Sequence, residues 1–224
     1  MNALSRMSSS DTTAYLVPGA ASMTGLLLLV HSVSSPSLVS AVLSQPAVSV
    51  IAYVVGSYVL GVLQAIPSYT IARTIERVVW RGVHVTSSPP EELRDLVSDV
   101  LRPLFAGKAL TVPPWSSAVF YVCRSLVLHV HPASSELIRR QGGLRQLRTN
   151  LIGTVGAWSV IASTYCFRST ADWGCTQAIS CISAILLAVT VMIVLLVYWS
   201  RVSHMREVRE VATGLVAARL SGSL

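Results

Sequence analysis

"LIRRQGGLRQLRTNLIGTVGAW" runs from Leu137 to Trp158. It sets Arg139, Arg140, Arg145 and Arg148 directly before an apolar stretch that carries no charge until Arg168. No acidic residue stands between Glu136 and Asp172. Arginines in this position suit a membrane surface, a nucleic acid or a small anion. The rest of the chain decides among these.

The chain has 224 residues, 52% hydrophobic and only 12% charged. A soluble domain usually carries about 25% charged residues, so half that value over this length points to a membrane protein. The net charge of +7 would also suit nucleic acid. However, the basic residues fall in blocks separated by long uncharged runs, which is a topology pattern. No nucleic-acid recognition fold is visible, and aromatics are not interleaved with the charges. Lys108 is the one lysine; all other cationic residues are arginine. Together with abundant Ala and Val, this points to a GC-rich, bacterial genome.

From Thr12 to Ala72 no side chain is charged. A helix needs roughly 20 residues to cross about 30 Å of hydrocarbon, so this length fits two spans. Pro36 and Pro46, among serines, mark the turn. The spans are placed at Tyr15–Val33, Ala47–Ile66, Leu151–Phe167 and Ala178–Trp199. Span one is longer than the apolar core of a cleaved signal peptide. Span three is short and rich in Gly, Ser, Thr and Ala, and is expected to be shielded by neighbours. The fold class is therefore all-α: a polytopic membrane protein with four transmembrane helices in two hairpins and a helical cytoplasmic segment between them. The expected divisions are an N-terminal tail (1–14), a first hairpin (15–66), a helical cytoplasmic domain (67–150), a second hairpin (151–199) and an amphipathic cytoplasmic C-terminal tail (200–224).

Arginine placement sets the orientation. The segment from Pro67 to Asn150 has eleven Lys/Arg against six acids, and the C-terminal tail has Arg201, Arg206, Arg209 and Arg219. The hairpin turns carry only Arg168 and Asp172. Both termini and the middle segment are expected in the cytoplasm of a plasma (inner) membrane protein. Within the middle segment, span two is expected to continue through "SYTIARTIERVVWRGV". A second helix opens at a capping box, Ser88 with Glu91, has Pro89 at its first position, and ends at Pro103 and Gly107. Leu93, Leu96, Val97, Val100 and Leu104 form its apolar face. A third helix starts near Pro113 and stops at Pro132. The last begins at Ser134 and enters span three past a hinge at Gly142-Gly143.

Candidate site residues follow from these placements. Arg73, Arg77 and Arg81 recur every four residues and line one stripe. With Arg139, Arg140, Arg145 and Arg148 they form an anion-binding set. Anionic lipid headgroups are the leading partner, at about 1 kcal/mol per residue, and a phosphorylated ligand held by guanidinium forks is the sharper one. Ala52 with Gly56, Ser57 with Gly61, and Gly153 with Ala157 are small-xxx-small pairs that let helices approach closely, within one chain or between copies. Cys166 and Cys175 bracket an outer turn and could form a disulfide in an oxidising compartment, but Cys181 lies near in span four and leaves the pairing open; the other reading is that all are small buried apolar residues. His129 and His131 lack further metal ligands. No P-loop, GxSxG or HExxH is present, and no cofactor is implied. No charge lies in the middle of a span, which argues against a pump or coupled transporter.

The leading functional expectation is a non-enzymatic membrane sensor or effector. Its arginine-rich cytoplasmic helices would bind a partner, an anionic lipid or an anionic signal and act on the transmembrane bundle, altering permeability in defence or signalling. The alternatives are a lipid-modifying enzyme at the inner interface, using Glu76, Glu91, Glu92, His84, His129 or His131, and a scaffold subunit of a membrane complex.

Overall fold

The computed structural model describes residues 9–33, 46–79, 89–106, 115–168 and 174–222. These residues form six helices and no strand: α1 (Ser9–Val33), α2 (Pro46–Val79), α3 (Glu91–Ala106), α4 (Ser117–Val130), α5 (Pro132–Arg168) and α6 (Cys175–Leu220). Three of them, α1, α2 and α6, contain stretches long and apolar enough to cross a membrane. Leu151–Phe167 lies inside α5, which is not among those three. Three long apolar helices are compatible with a multi-pass membrane protein.

The chain divides into two compact units. The first comprises Met1–Val79 and Gln146–Trp199. Here α1 and α2 run antiparallel in very close contact. A side chain on Gly61 would collide with the Tyr15 carbonyl, and one on Gly19 with the Ser57 carbonyl. Tyr53 Oη donates to the Ala20 carbonyl at 3.0 Å, continuing the same opposed order. Helix α5 runs parallel to α1, because Asn150, Thr154 and Trp158 meet Ala14, Pro18 and Ala21 in turn. Helix α6 runs antiparallel to α5, since Cys166 meets Cys181 and Arg148 meets Trp199. The outward faces of α2 and α6 are apolar, with Ile51, Leu63, Leu187 and Val191 among the exposed side chains. That is the surface a span presents to lipid.

The second unit comprises Trp80–Arg145 and Ser200–Leu224. Its core takes Val97, Val100 and Leu101 from α3, Phe120, Cys123 and Val127 from α4, Ile138 from α5, and Val208, Val211 and Leu215 from α6. The spacing 208, 211, 212, 215 is an apolar helical stripe, so the C-terminal stretch is a core helix of this unit. Burial pushes the Cys123 thiol up to about 11, which keeps it neutral and unreactive.

Several boundaries differ from the sequence expectation. Helix α3 opens at Glu91, with Leu93 N–H bonding the Pro90 carbonyl, and continues through Pro103 to Ala106. Leu96 is exposed and Leu101 takes its place in the core. Helix α4 is capped by Ser116, whose side chain accepts from Val119 N–H. Pro132 does stop α4, and it also opens α5, where its missing N–H costs nothing. No break occurs at Gly142-Gly143; α5 is continuous there. A Cβ on Gly142 would stand 3.2 Å from both Arg124 Nη2 and Glu207 Oε1, so this glycine makes room for an ion pair.

Candidate functional site

Two constellations stand out, one in each unit. The first is a seam of uncharged polar groups where α1, α2 and α5 meet. Pro18 has no N–H, so the Ala14 carbonyl one turn earlier loses its helical partner. Asn150 Nδ2 donates to that carbonyl at 2.9 Å. One turn on, Thr154 Oγ1 donates to the Pro18 carbonyl at 3.1 Å, and Trp158 Nε1 donates to the Ala21 carbonyl at 3.1 Å. One turn earlier, Gln146 Nε2 donates to Tyr15 Oη. These four α5 residues are spaced by four, so they lie on one face; Asn150, Thr154 and Trp158 bond the α1 backbone in order, and Gln146 bonds a side chain.

Helix α2 closes the seam. Gln64 accepts from Ser22 Oγ at 2.8 Å and donates to Thr154 Oγ1 at 3.2 Å. Ser68 Oγ donates to the Gln64 carbonyl at 2.6 Å and approaches the Asn150 carbonyl at 3.5 Å. Gly153 lets the two helices meet, since a Cβ there would be 2.5 Å from Ser68 Oγ. Ser57 is fully buried on the same face of α2, and its hydroxyl has no hydrogen-bond partner among the described residues. Polar side chains in such a position hold helices together where no hydrophobic drive does.

The second constellation surrounds Glu207 of α6, which is 1% exposed. Its Oε1 accepts from Arg124 Nε of α4 at 2.8 Å, and Oε2 lies 3.4 Å from Arg145 Nη1 of α5. Arg145 Nη1 also donates to His204 Nδ1 at 2.7 Å. His204 Nδ1 stands 3.8 Å from Oε2, and its ring packs edge-on against Phe120. Burial pushes the Glu207 carboxyl up. The His204 ring and the charges of Arg145 and Arg124 outweigh burial and hold it below the ordinary glutamate value. A carboxylate clasped by two guanidinia is a poor general base, because it has nothing to gain from a proton. It ties α4, α5 and α6 together.

The arginines expected to act as one set have different surroundings. Arg73 lies over the Tyr69 ring at 5.0 Å and, like Arg77, is exposed on α2. Arg139 and Arg140 are exposed on α5. Arg145 belongs to the Glu207 clasp. Arg148 donates to the Trp199 carbonyl at 2.8 Å and lies over its indole at 5.7 Å. Arg81 and His84 lie outside the described residues. Of the small-residue positions, Gly56 faces Met23, Ser57 and Gly61 meet α1, and Gly153 meets α2, while Ala52 is exposed and Ala157 half-buried. Cys166 is buried beside Cys181, and Cys175 is exposed. His129 Nδ1 bonds the Ser125 carbonyl, and His131 caps α4 and bonds Ser134. Among the described residues no three His, Cys, Asp or Glu side chains are gathered as a metal site would need.

Compared with known proteins, the chain matches no family model, no curated protein and no solved structure.

Proposed function

We propose that the protein is a four-span, non-enzymatic membrane sensor or effector whose exposed cytoplasmic arginines bind anionic lipid or an anionic signal and act on the bundle. The observation that carries this is the layout of one helix. Along α5 lie, in order, exposed Arg139 and Arg140, then Arg145 in the Glu207 clasp, then Asn150, Thr154 and Trp158 in the seam. A phosphate group held at the first pair therefore acts on a helix that is built into both constellations.

The second half of α5 is the third span in chain order and brings the number to four in this reading. It runs alongside and parallel to α1, an apolar helix of spanning length. Its two pins to α6 are equally spaced on both helices: Arg148 to Cys166 and Trp199 to Cys181. That spacing is roughly 27 Å of helix at 1.5 Å per residue, close to the hydrocarbon thickness. Tyr198, Trp199 and Arg148 then form the inner interfacial anchor, and both termini are cytoplasmic in a plasma membrane.

The test is dye efflux from liposomes carrying the full chain, with anionic or purely zwitterionic phospholipid. Efflux is expected only with anionic lipid, and is expected to fall with added salt as charges are screened. Arg139→Gln with Arg140→Gln should abolish the lipid dependence, because these two arginines have no role in the clasp. Efflux indifferent to lipid charge and to these substitutions would overturn the proposal.

A further inference from the structure

Cys166 sits in the last turn of α5 and Cys181 in the second turn of α6, and their Sγ atoms are 3.0 Å apart. Cys166 is buried and Cys181 half-buried, while Cys175, at the first residue of α6, is exposed. The spacing in sequence favours Cys175 as the partner of Cys166, since it closes the shorter turn. The helices decide otherwise. In the antiparallel arrangement α6 has advanced by more than one turn before its thiol faces Cys166. The far end of the same helix pair is fixed by Arg148 on Trp199, so the facing of the two thiols is held by the packing of both helices.

An S–S bond is about 2.05 Å long. Closure from the present separation needs roughly 1 Å of sulfur movement, which side-chain rotation supplies. We propose that Cys166 and Cys181 form an interhelical disulfide at the outer ends of spans three and four, with Cys175 left as a free surface thiol. The location of the pair rests on the topology proposed above.

The reaction requires an oxidant, and the chemistry fits a protein disulfide of the thiol-oxidoreductase class. Cys181, the more accessible of the two, loses its proton and attacks the incoming disulfide, displacing one thiolate of the oxidant. Cys166, deprotonated in turn, attacks the Cys181 sulfur of the mixed disulfide and displaces the second. The chain loses two protons and two electrons, and the oxidant leaves as a dithiol.

The experiment uses the full chain in cells with an oxidising periplasm. Free thiols are alkylated before lysis, and peptides are mapped without reduction. The expected result is a peptide pair joined through Cys166 and Cys181, with Cys175 alkylated. The link should persist in Cys175→Ser and disappear in Cys181→Ser, with Cys166 then alkylated. A Cys166–Cys175 link would overturn the proposal. So would complete alkylation of all three cysteines. Labelling of Cys175 by a membrane-impermeant maleimide on intact cells reads sidedness separately. If Cys175 labels from outside and no link is found, the disulfide alone is wrong. If it labels only after permeabilisation, the topology is wrong as well.

Discussion

Glu207 shows how a single residue departs from what its neighbours in sequence imply. It lies between Arg206 and Arg209 on a stretch that reads as an amphipathic C-terminal tail, yet it is buried and joined to Arg124 and Arg145. No spacing rule links positions 124, 145 and 207, so only the packing of three helices reveals the clasp. Its folded carboxyl is held below the ordinary value near 4.3. The linked stability is therefore fully present above that value and is lost as the pH falls through the lower folded value. Wild type should lose thermal stability as the pH is lowered below about 4.3, and Glu207→Gln should flatten that dependence. At neutral pH the substitution should cost about 1–3 kcal/mol, less than for a fully buried pair because both arginines reach solvent. Thermal unfolding in detergent micelles across a pH series checks both. A Glu207→Gln curve that keeps the wild-type pH slope would show that the slope arises elsewhere.

At the scale of elements, the contact between α1 and α5 is a match between a defect and its repair. Pro18 leaves the Ala14 carbonyl unsatisfied, and Asn150 supplies the missing donor. Asn150→Leu should destabilise the bundle by about 1–2 kcal/mol. In a Pro18→Ala background the restored backbone N–H serves the Ala14 carbonyl, so the same change should cost less, with a coupling of at least about 0.5 kcal/mol. Strictly additive costs in this double-mutant cycle would remove the repair account. The apolar spans at α1, α2 and α6 were legible because charge is absent over their whole lengths. The continuation of α2 past Ile66 was legible from its arginine stripe. The seam was overlooked, although the spacing of Gln146, Asn150, Thr154 and Trp158 by four places them on one face. Span three reads as weak because it is rich in Gly, Ser, Thr and Ala, yet Gly153 and Thr154 of that set are where it meets α2 and α1. Gly19 was overlooked as well, because its partner is a carbonyl on another helix and no pair of glycines marks the contact. The hinge at Gly142-Gly143 was expected from flexibility, whereas packing uses Gly142 for its small size.

For the whole molecule, the division into two units recombines the sequence. Each unit is made from separate stretches, and α5 and α6 contribute to both. A linear list of tails and hairpins does not convey this, since the 200–224 stretch completes the same core as α3 and α4. The proposed sidedness makes a direct prediction. With the native cysteines replaced, Lys108→Cys should react with a membrane-impermeant maleimide only after the membrane is opened; reaction on intact cells would reverse the orientation. The seam has a further consequence for biosynthesis. Ala14 and Asn150 are 136 residues apart. At about 5–20 residues per second, the ribosome delivers the second roughly 7–27 s after the first. During that interval the Ala14 carbonyl, left without a helical donor by Pro18 and standing at the inner end of the proposed first span, has only water and headgroups to bond. The first hairpin is thus made before its partner exists, and the arrival of Asn150 exchanges a solvent contact for a helix-to-helix one.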